Sequence, residues 1–166
     1  MKIRLSLAVI TVFLTFATLA DAGSVDLGAR YGRTIEENGG SAEVGLRYYP
    51  IPFLSLDASL GYTRVEYDKH WYYKTSDNMA LGGYVNAHLP LPLISPYAGL
   101  GGIYYVTNDT SSANPADQGN EHSGTMTIQG GVDISLPVPK MSLNIEARRL
   151  VTDRQTMLLG GVWFRF

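Results

Sequence analysis

The chain has 166 residues, with 13 Lys and Arg against 15 Asp and Glu, no cysteine, 18 glycines and 11 tyrosines; this is one domain's worth of chain without a disulfide framework or a Cys-ligated metal site. A net charge of -2 leaves no basic footprint for nucleic acid. Charged residues, at 17%, fall below the roughly 25% of an average soluble protein, and glycine exceeds the usual share of about 7%, an unusual balance for a domain surrounded by water.

Residues 1–22 read as a secretory signal peptide: Lys2 and Arg4 precede an apolar run over residues 5–20, and Ala20-Asp21-Ala22 forms an A-x-A cleavage site. The run is too short for a spanning helix, which needs about 20 apolar residues, and Ser6, Thr11, Thr15 and Thr18 interrupt it. The mature domain is therefore expected to cover residues 23–166. Dropping Lys2, Arg4 and Asp21 leaves it 11 basic and 14 acidic residues. It holds no second apolar run long enough for a membrane helix.

What it does hold is period-two alternation, the signature of strands with one apolar and one polar face. Val25, Leu27, Ala29 and Tyr31 alternate with Asp26, Gly28 and Arg30; Ala42, Val44, Leu46 and Tyr48 with Glu43, Gly45 and Arg47; Leu54 to Tyr62 with Ser55, Asp57, Ser59 and Gly61. A fourth run sets Met79, Leu81, Val85 and Ala87 against Gly82, Tyr84, Asn86 and His88. A fifth, glycine-rich run over residues 96–106 places Ala98, Leu100 and Tyr104 on one face. Met126, Ile128, Val132 and Ile134 alternate with Thr127, Gln129, Gly131 and Asp133; Leu143, Ile145 and Ala147 with Asn144, Glu146 and Arg148; and Leu158, Val162, Phe164 and Phe166 with Leu159, Gly161, Trp163 and Arg165. Eight amphipathic strands and no helix are expected.

The separators are of two kinds. Pro50-Ile51-Pro52, Pro90-Leu91-Pro92 and Pro137-Val138-Pro139 follow the second, fourth and sixth strands; proline cannot donate to a ladder, so these read as short turns at one end of the molecule. The other separators, residues 34–40, 66–78, 107–123 and 152–155, are polar and mark the opposite end. Residues 107–123, rich in Asn, Asp, Ser and Gly, read as a mobile loop.

A soluble sandwich and a membrane barrel both alternate, so the face that is enclosed decides between them. The polar set holds Asp26, Glu43, Asp57, Asp133 and Glu146 against Arg30, Arg47, Arg148 and Arg165, nearly balanced and without a lysine. Arginine suits a crowded interior because its planar fork satisfies both oxygens of a carboxylate. The apolar set keeps charge away from mid-strand, as a lipid-facing band must when a mid-bilayer Arg or Lys costs roughly 2–4 kcal/mol. Aromatics sit at the strand ends: Tyr31, Tyr62 and Tyr104 at one, Tyr48, Phe53, Phe164 and Phe166 at the other, the arrangement that two membrane interfaces select. Strands exposed to hydrocarbon cannot leave open edges, so the expected fold is an all-β, eight-stranded antiparallel up-and-down transmembrane barrel.

The ending Leu158-Leu159-Gly160-Gly161-Val162-Trp163-Phe164-Arg165-Phe166 resembles the C-terminal signal read by the outer-membrane barrel assembly machinery, with Val162, Phe164 and Phe166 as its apolar positions. Pro96-Tyr97-Ala98-Gly99-Leu100-Gly101 is similar to a P-Y-x-G-x-G strand of small outer-membrane barrels of the OmpA, OmpX and OmpW type. This resemblance implies export to a bacterial outer membrane, termini and P-x-P turns in the periplasm, a monomer, and the assembly machinery, outer-membrane lipid and lipopolysaccharide as partners.

An eight-stranded barrel is just wide enough inside for side chains. The nine charged groups, with Gln129, Asn86, Tyr84, Tyr97 and a hydrogen-bonded His88, are expected to plug it, and Gly28, Gly45, Gly61, Gly82, Gly99, Gly101 and Gly131 to admit bulky Arg and Tyr neighbours. Arg64 and Arg149 break the outward apolar pattern at the long-loop end and are expected to contact lipopolysaccharide phosphates, with Arg33, Lys69 and Lys74 adding to the field. The cluster His70-Trp71-Tyr72-Tyr73 reads either as aromatics packing on one another at the interface or as a surface tip. No cofactor and no metal site is expected: His70, His88 and His122 lack ligand spacing. Lipid A enzymes of this shape were the natural catalytic alternative. Their His-x-Ser relay is not matched by adjacent His122 and Ser123, which a strand would place on opposite faces, and His70, Ser76 and Asp77 share a loop without a defining pattern. The function expected is structural or surface-interacting and not enzymatic; the alternatives are a narrow channel for small or apolar solutes and a lipid A-modifying enzyme.

Overall fold

The computed structural model describes residues 23–35, 39–69, 72–111 and 120–166, with side chains described over 23–35, 39–64, 78–106 and 122–166; the expected signal peptide lies outside these residues. Eight strands, β1 (Ser24–Thr34), β2 (Gly39–Ile51), β3 (Leu54–Lys69), β4 (Tyr72–His88), β5 (Ile94–Ser111), β6 (Asn120–Ser135), β7 (Met141–Leu150) and β8 (Gln155–Arg165), form a closed barrel in chain order. Each strand pairs antiparallel with its successor. The ring is sealed where β8 meets β1, Asp26 opposite Arg165 and Thr34 opposite Met157.

Sidedness follows the alternation in the sequence. In β1, Asp26, Gly28, Arg30, Gly32 and Thr34 are buried while Leu27, Ala29, Tyr31 and Arg33 are exposed. In β7, Asn144, Glu146 and Arg148 are buried and Leu143, Ile145 and Ala147 are exposed. Polar groups thus line most of the lumen, with buried Ala80, Ile103, Leu150, Met157 and Leu159 at its long-strand end, and the outer wall carries Val44, Leu81, Val85, Leu100, Ile128, Ile145 and Leu158, each at least half exposed. Leaving a side chain of this size in water forfeits roughly 1.5–3 kcal/mol relative to burying it. A continuous apolar girdle therefore needs a non-aqueous neighbour, and a closed ring is the sheet that presents one without open edges.

Several expectations need correction. Residues 66–78 and 107–123 are not simply loops: β3 and β4 stay paired out to Lys69 opposite Tyr72, and β5 and β6 out to Asn108 opposite Asn120. The ladder continues past the apolar stretch because its hydrogen bonds are made by the backbone and do not require apolar side chains. Pro50 belongs to β2, where the register to β3 shifts between Tyr48 and Ile51, so this proline bends the strand end instead of terminating it. Tyr48 points outward by parity yet is buried, with its ring edge beside Gly23 at the entry to β1, so it is not an exposed member of the aromatic belt. Tyr31, Tyr62, Tyr104, Phe53, Phe164 and Phe166 are exposed. Lys140 and Arg154, both at positive φ, close the β6–β7 and β7–β8 turns.

Candidate functional site

The lumen is organised around charged side chains from facing walls. Arg30 on β1 donates to Glu43 on β2 at 2.9 Å and to Glu146 on β7 at 2.8 Å. Arg148 on β7 donates to the same two carboxylates, to Glu43 at 2.8 Å and to Glu146 at 2.6 Å. Two guanidiniums and two carboxylates form a square of alternating charge with no net charge. Burial makes this arrangement necessary, because an unpaired ion in so dry a place costs several kcal/mol.

A second group lies toward the P-x-P end. Arg47 on β2 donates to Asp57 on β3 at 2.8 Å and across the lumen to Asp133 on β6 at 2.7 Å. Ser55 donates to Asp57 at 2.6 Å and lies 3.0 Å from Nε2 of His88, and Asn144 donates to Asp133 at 2.8 Å. Tyr97 joins the two groups: its hydroxyl donates to Glu146 at 2.6 Å and accepts from Asn144 at 2.9 Å. Asn86 donates to Ser55 at 3.2 Å and accepts from Gln129 at 2.6 Å, so β3, β4 and β6 are tied into the same net.

The side chains of Arg148 and Glu146 are 0% exposed and that of Arg47 is 1% exposed, so no water-wide path touches them. Below them the lumen opens at the P-x-P end into a vestibule of about 410 Å³ with Tyr49, Asp133, Ser135 and Arg165 in its walls. Arg165 pairs with Asp26 at 2.9 Å, but its side chain is 53% exposed; this last of the nine charges belongs to the mouth and not to the enclosed interior, because β8 ends there.

Trp163 has a larger part than its place in the alternation suggested. It is 1% exposed, and its ring faces the guanidiniums of Arg47 at 4.4 Å and Arg30 at 5.4 Å, stacking between the two charged groups. The glycines accommodate aromatic rings more than arginines. A side chain at Gly28 or Gly45 would run into Trp163, one at Gly82 or Gly101 into Tyr84, and one at Gly131 into Tyr97. Gly61 makes way for Glu43, Gly99 for Asn86, and Gly161 for Arg30. Tyr84 in turn lies 4.6 Å from the Arg148 guanidinium. A tryptophan in register with glycines on the two neighbouring inward positions was the available signal.

At the long-loop rim, Arg64 and Arg149 are exposed on the outward face, but they stand on β3 and β7, opposite walls of the ring, and so belong to separate places. Arg149 donates to Thr156 on β8 at 2.7 Å. Arg33 lies on the same side as Arg64, with only β2 between them. Val162 and Phe164 lie on the outward face of β8 where it closes on β1, opposite Ala29 and Leu27, and Phe166 follows the strand, its amide donating to the Val25 carbonyl at 2.8 Å. His122 stacks on Tyr104 with ring centroids 5.9 Å apart, whereas Ser123 takes the opposite parity on the same strand, so the pair does not form a relay. His70 lies outside the described residues, as do the side chains of Ser76 and Asp77.

This is the fold of the small eight-stranded outer-membrane barrels. The chain is similar to the N-terminal β-barrel domain of OprF from Pseudomonas aeruginosa (TM-score 0.62, 17% identity, covering 87% of this chain and 99% of that one). It is also similar to Ail, the attachment invasion locus protein of Yersinia pestis (TM-score 0.57, 15% identity, 87% and 97% covered), and to a major outer-membrane protein of Thermus thermophilus (TM-score 0.55, 16% identity, 87% and 100% covered). No family model matches the sequence, and no curated protein matches it by sequence.

Proposed function

We propose that the chain is an integral protein of a bacterial outer membrane, a monomer inserted by the barrel assembly machinery, whose barrel is a plugged anchor for a surface-interacting wall. Termini and P-x-P turns face the periplasm, and the long-strand end faces the exterior. The apolar outer wall, the enclosed ion pairs and the likeness to outer-membrane barrels support the location and the anchoring role. The reading is non-enzymatic, supported by the opposite parity of His122 and Ser123.

One observation carries the surface role: the barrel wall is lopsided. Pairing of β6 with β7 begins at Thr127 opposite Leu150, and Val151 and Thr152 just beyond β7 donate to Met126 and Thr125, leaving residues 120–124 of β6 paired with β5 alone; on the other flank, β3 continues for residues 66–69 beyond its last partner on β2. A sheet of β3 to β6 therefore projects past the ring with backbone edges that lack a neighbouring strand among the described residues, and such edges are templates for contact with other molecules. The test compares bacteria displaying the intact protein with bacteria displaying a variant in which residues 66–78 and 109–121 are replaced by two-residue turns. Attachment to an epithelial cell monolayer should fall severalfold with unchanged surface abundance. Full attachment by the shortened variant, together with steady single-channel conductance of the intact protein in planar bilayers, would replace this reading with the channel.

A further inference from the structure

The outer wall carries a cleft at the long-strand rim that the lumen does not explain. It holds about 390 Å³ and is lined by Tyr31 and Arg33 of β1, Gly40 and Ala42 of β2, and Tyr62 and Arg64 of β3. The register shows how it is built. Arg33, Gly40 and Arg64 form one row across the three strands, and Tyr31, Ala42 and Tyr62 form the next row toward the membrane centre. The central strand supplies only a hydrogen and a methyl group where its neighbours supply arginines and tyrosines, so the wall is notched along β2. The Tyr31 hydroxyl leans over this notch, close to where a side chain at Gly40 would begin. One row further in, Ala29, Val44 and Leu60 make the floor apolar, with Val44 half exposed.

Strands in a sheet lie about 4.8 Å apart, which sets the two arginines roughly 10 Å apart astride the glycine. Among the described residues Arg33 makes no ion pair. Arg64 stands opposite Asp77 in the β3–β4 register and already has an interaction of its own, so an incoming anion shares its guanidinium. From rim to membrane the cleft therefore runs cationic, aromatic and apolar. That is the order of groups along a lipid with an anionic head, a polar interfacial region and hydrocarbon tails, and guanidiniums are the side chains best shaped to grip phosphate oxygens.

We infer that this cleft seats a phosphorylated glycolipid of the outer leaflet, its phosphate held between Arg33 and Arg64, its sugar between Tyr31 and Tyr62, and one acyl chain along Ala42 and Val44. The inference rests on the orientation argued above, and it moves the lipid contact expected at Arg64 and Arg149 to the single wall that carries Arg33 and Arg64. The phosphate specifies the headgroup, and the notch makes room for it.

The test uses the full barrel purified in detergent, titrated with diphosphoryl lipid A and followed by native mass spectrometry. Arg33→Gln with Arg64→Gln should weaken binding of the first lipid at least tenfold. Ala42→Leu, which keeps both arginines and fills the notch, should weaken it severalfold. Arg149→Gln, on the opposite wall, should leave it unchanged, and dephosphorylated lipid A should bind the intact protein as poorly as diphosphoryl lipid A binds the double variant. Retention of the compact, heat-modifiable band on unheated gels shows that each variant has folded. Unaltered binding by the folded double variant, a loss in Arg149→Gln equal to that in the double variant, or equally tight binding of phosphatidylglycerol would each overturn the assignment. A barrel that stays soluble and folded without detergent would instead overturn the membrane reading beneath it.

Discussion

The square of charge in the lumen makes a quantitative prediction for Glu146→Gln. Glu146 accepts from Arg30 at 2.8 Å, from Arg148 at 2.6 and 3.0 Å, and from Tyr97 at 2.6 Å, with no exposed side-chain surface. Glutamine preserves the volume but leaves two guanidiniums sharing one carboxylate, and its amide nitrogen turns one acceptor into a donor facing donors. Removing one partner of a buried pair costs about 3–5 kcal/mol. With a urea slope of about 2 kcal/mol per molar, the unfolding midpoint of the barrel in lipid vesicles should fall by roughly 2 M. Fluorescence reports the transition well because Trp163 lies among these arginines; Trp71→Phe removes the other tryptophan. Adding Arg148→Gln restores neutrality, so the double variant should be less destabilised than the sum of the single ones, with a coupling of about 1–3 kcal/mol. A midpoint shift below about 0.5 M for Glu146→Gln with an unchanged slope would refute the reasoning, since it would mean that water already screens these pairs.

Two further outcomes are expected. Gly101→Val should destabilise the barrel by about 1–3 kcal/mol by overpacking against Tyr84, with partial recovery on adding Tyr84→Ala; Gly102→Val, where no atom lies nearer than 3.8 Å to the added carbon, should be close to neutral in the same urea titration. Deleting Phe166 should slow the appearance of folded barrel in cells, measured by pulse-labelling, while refolding of the purified chain in detergent proceeds at a rate within about twofold of the parent, because an exposed terminal ring contributes little to stability.

How far the sequence could be read is clearest in the ion pairs. Arg30 with Glu43 and Arg47 with Asp57 are cross-strand neighbours in adjacent strands, 13 and 10 residues apart, so alternation and short connections place them together. Arg30 with Glu146, Arg148 with Glu43 and Arg47 with Asp133 span 116, 105 and 86 residues and meet only across the lumen. The same distinction governs the rim: Arg64 and Arg149 share a pattern in the sequence, but closure of the ring sends them to opposite walls and brings Arg33 beside Arg64. Strand ends were harder to place, because polar stretches that look like loops by composition can continue a ladder once the strands beneath them are aligned.

The amino-acid order alone determined which residues face outward and which face inward, since a period of two is a local property of extended backbone and survives any rearrangement of the strands. It also called for a closed wall, the form in which a sheet with an apolar outer face leaves no bare edge. Partnership across the barrel was decided only in three dimensions: which arginine neutralises which distant carboxylate, how Trp163 wedges between two charged groups, and where a glycine row notches the outer wall. Those contacts depend on ring closure and strand stagger, which set distances between residues that no local pattern relates.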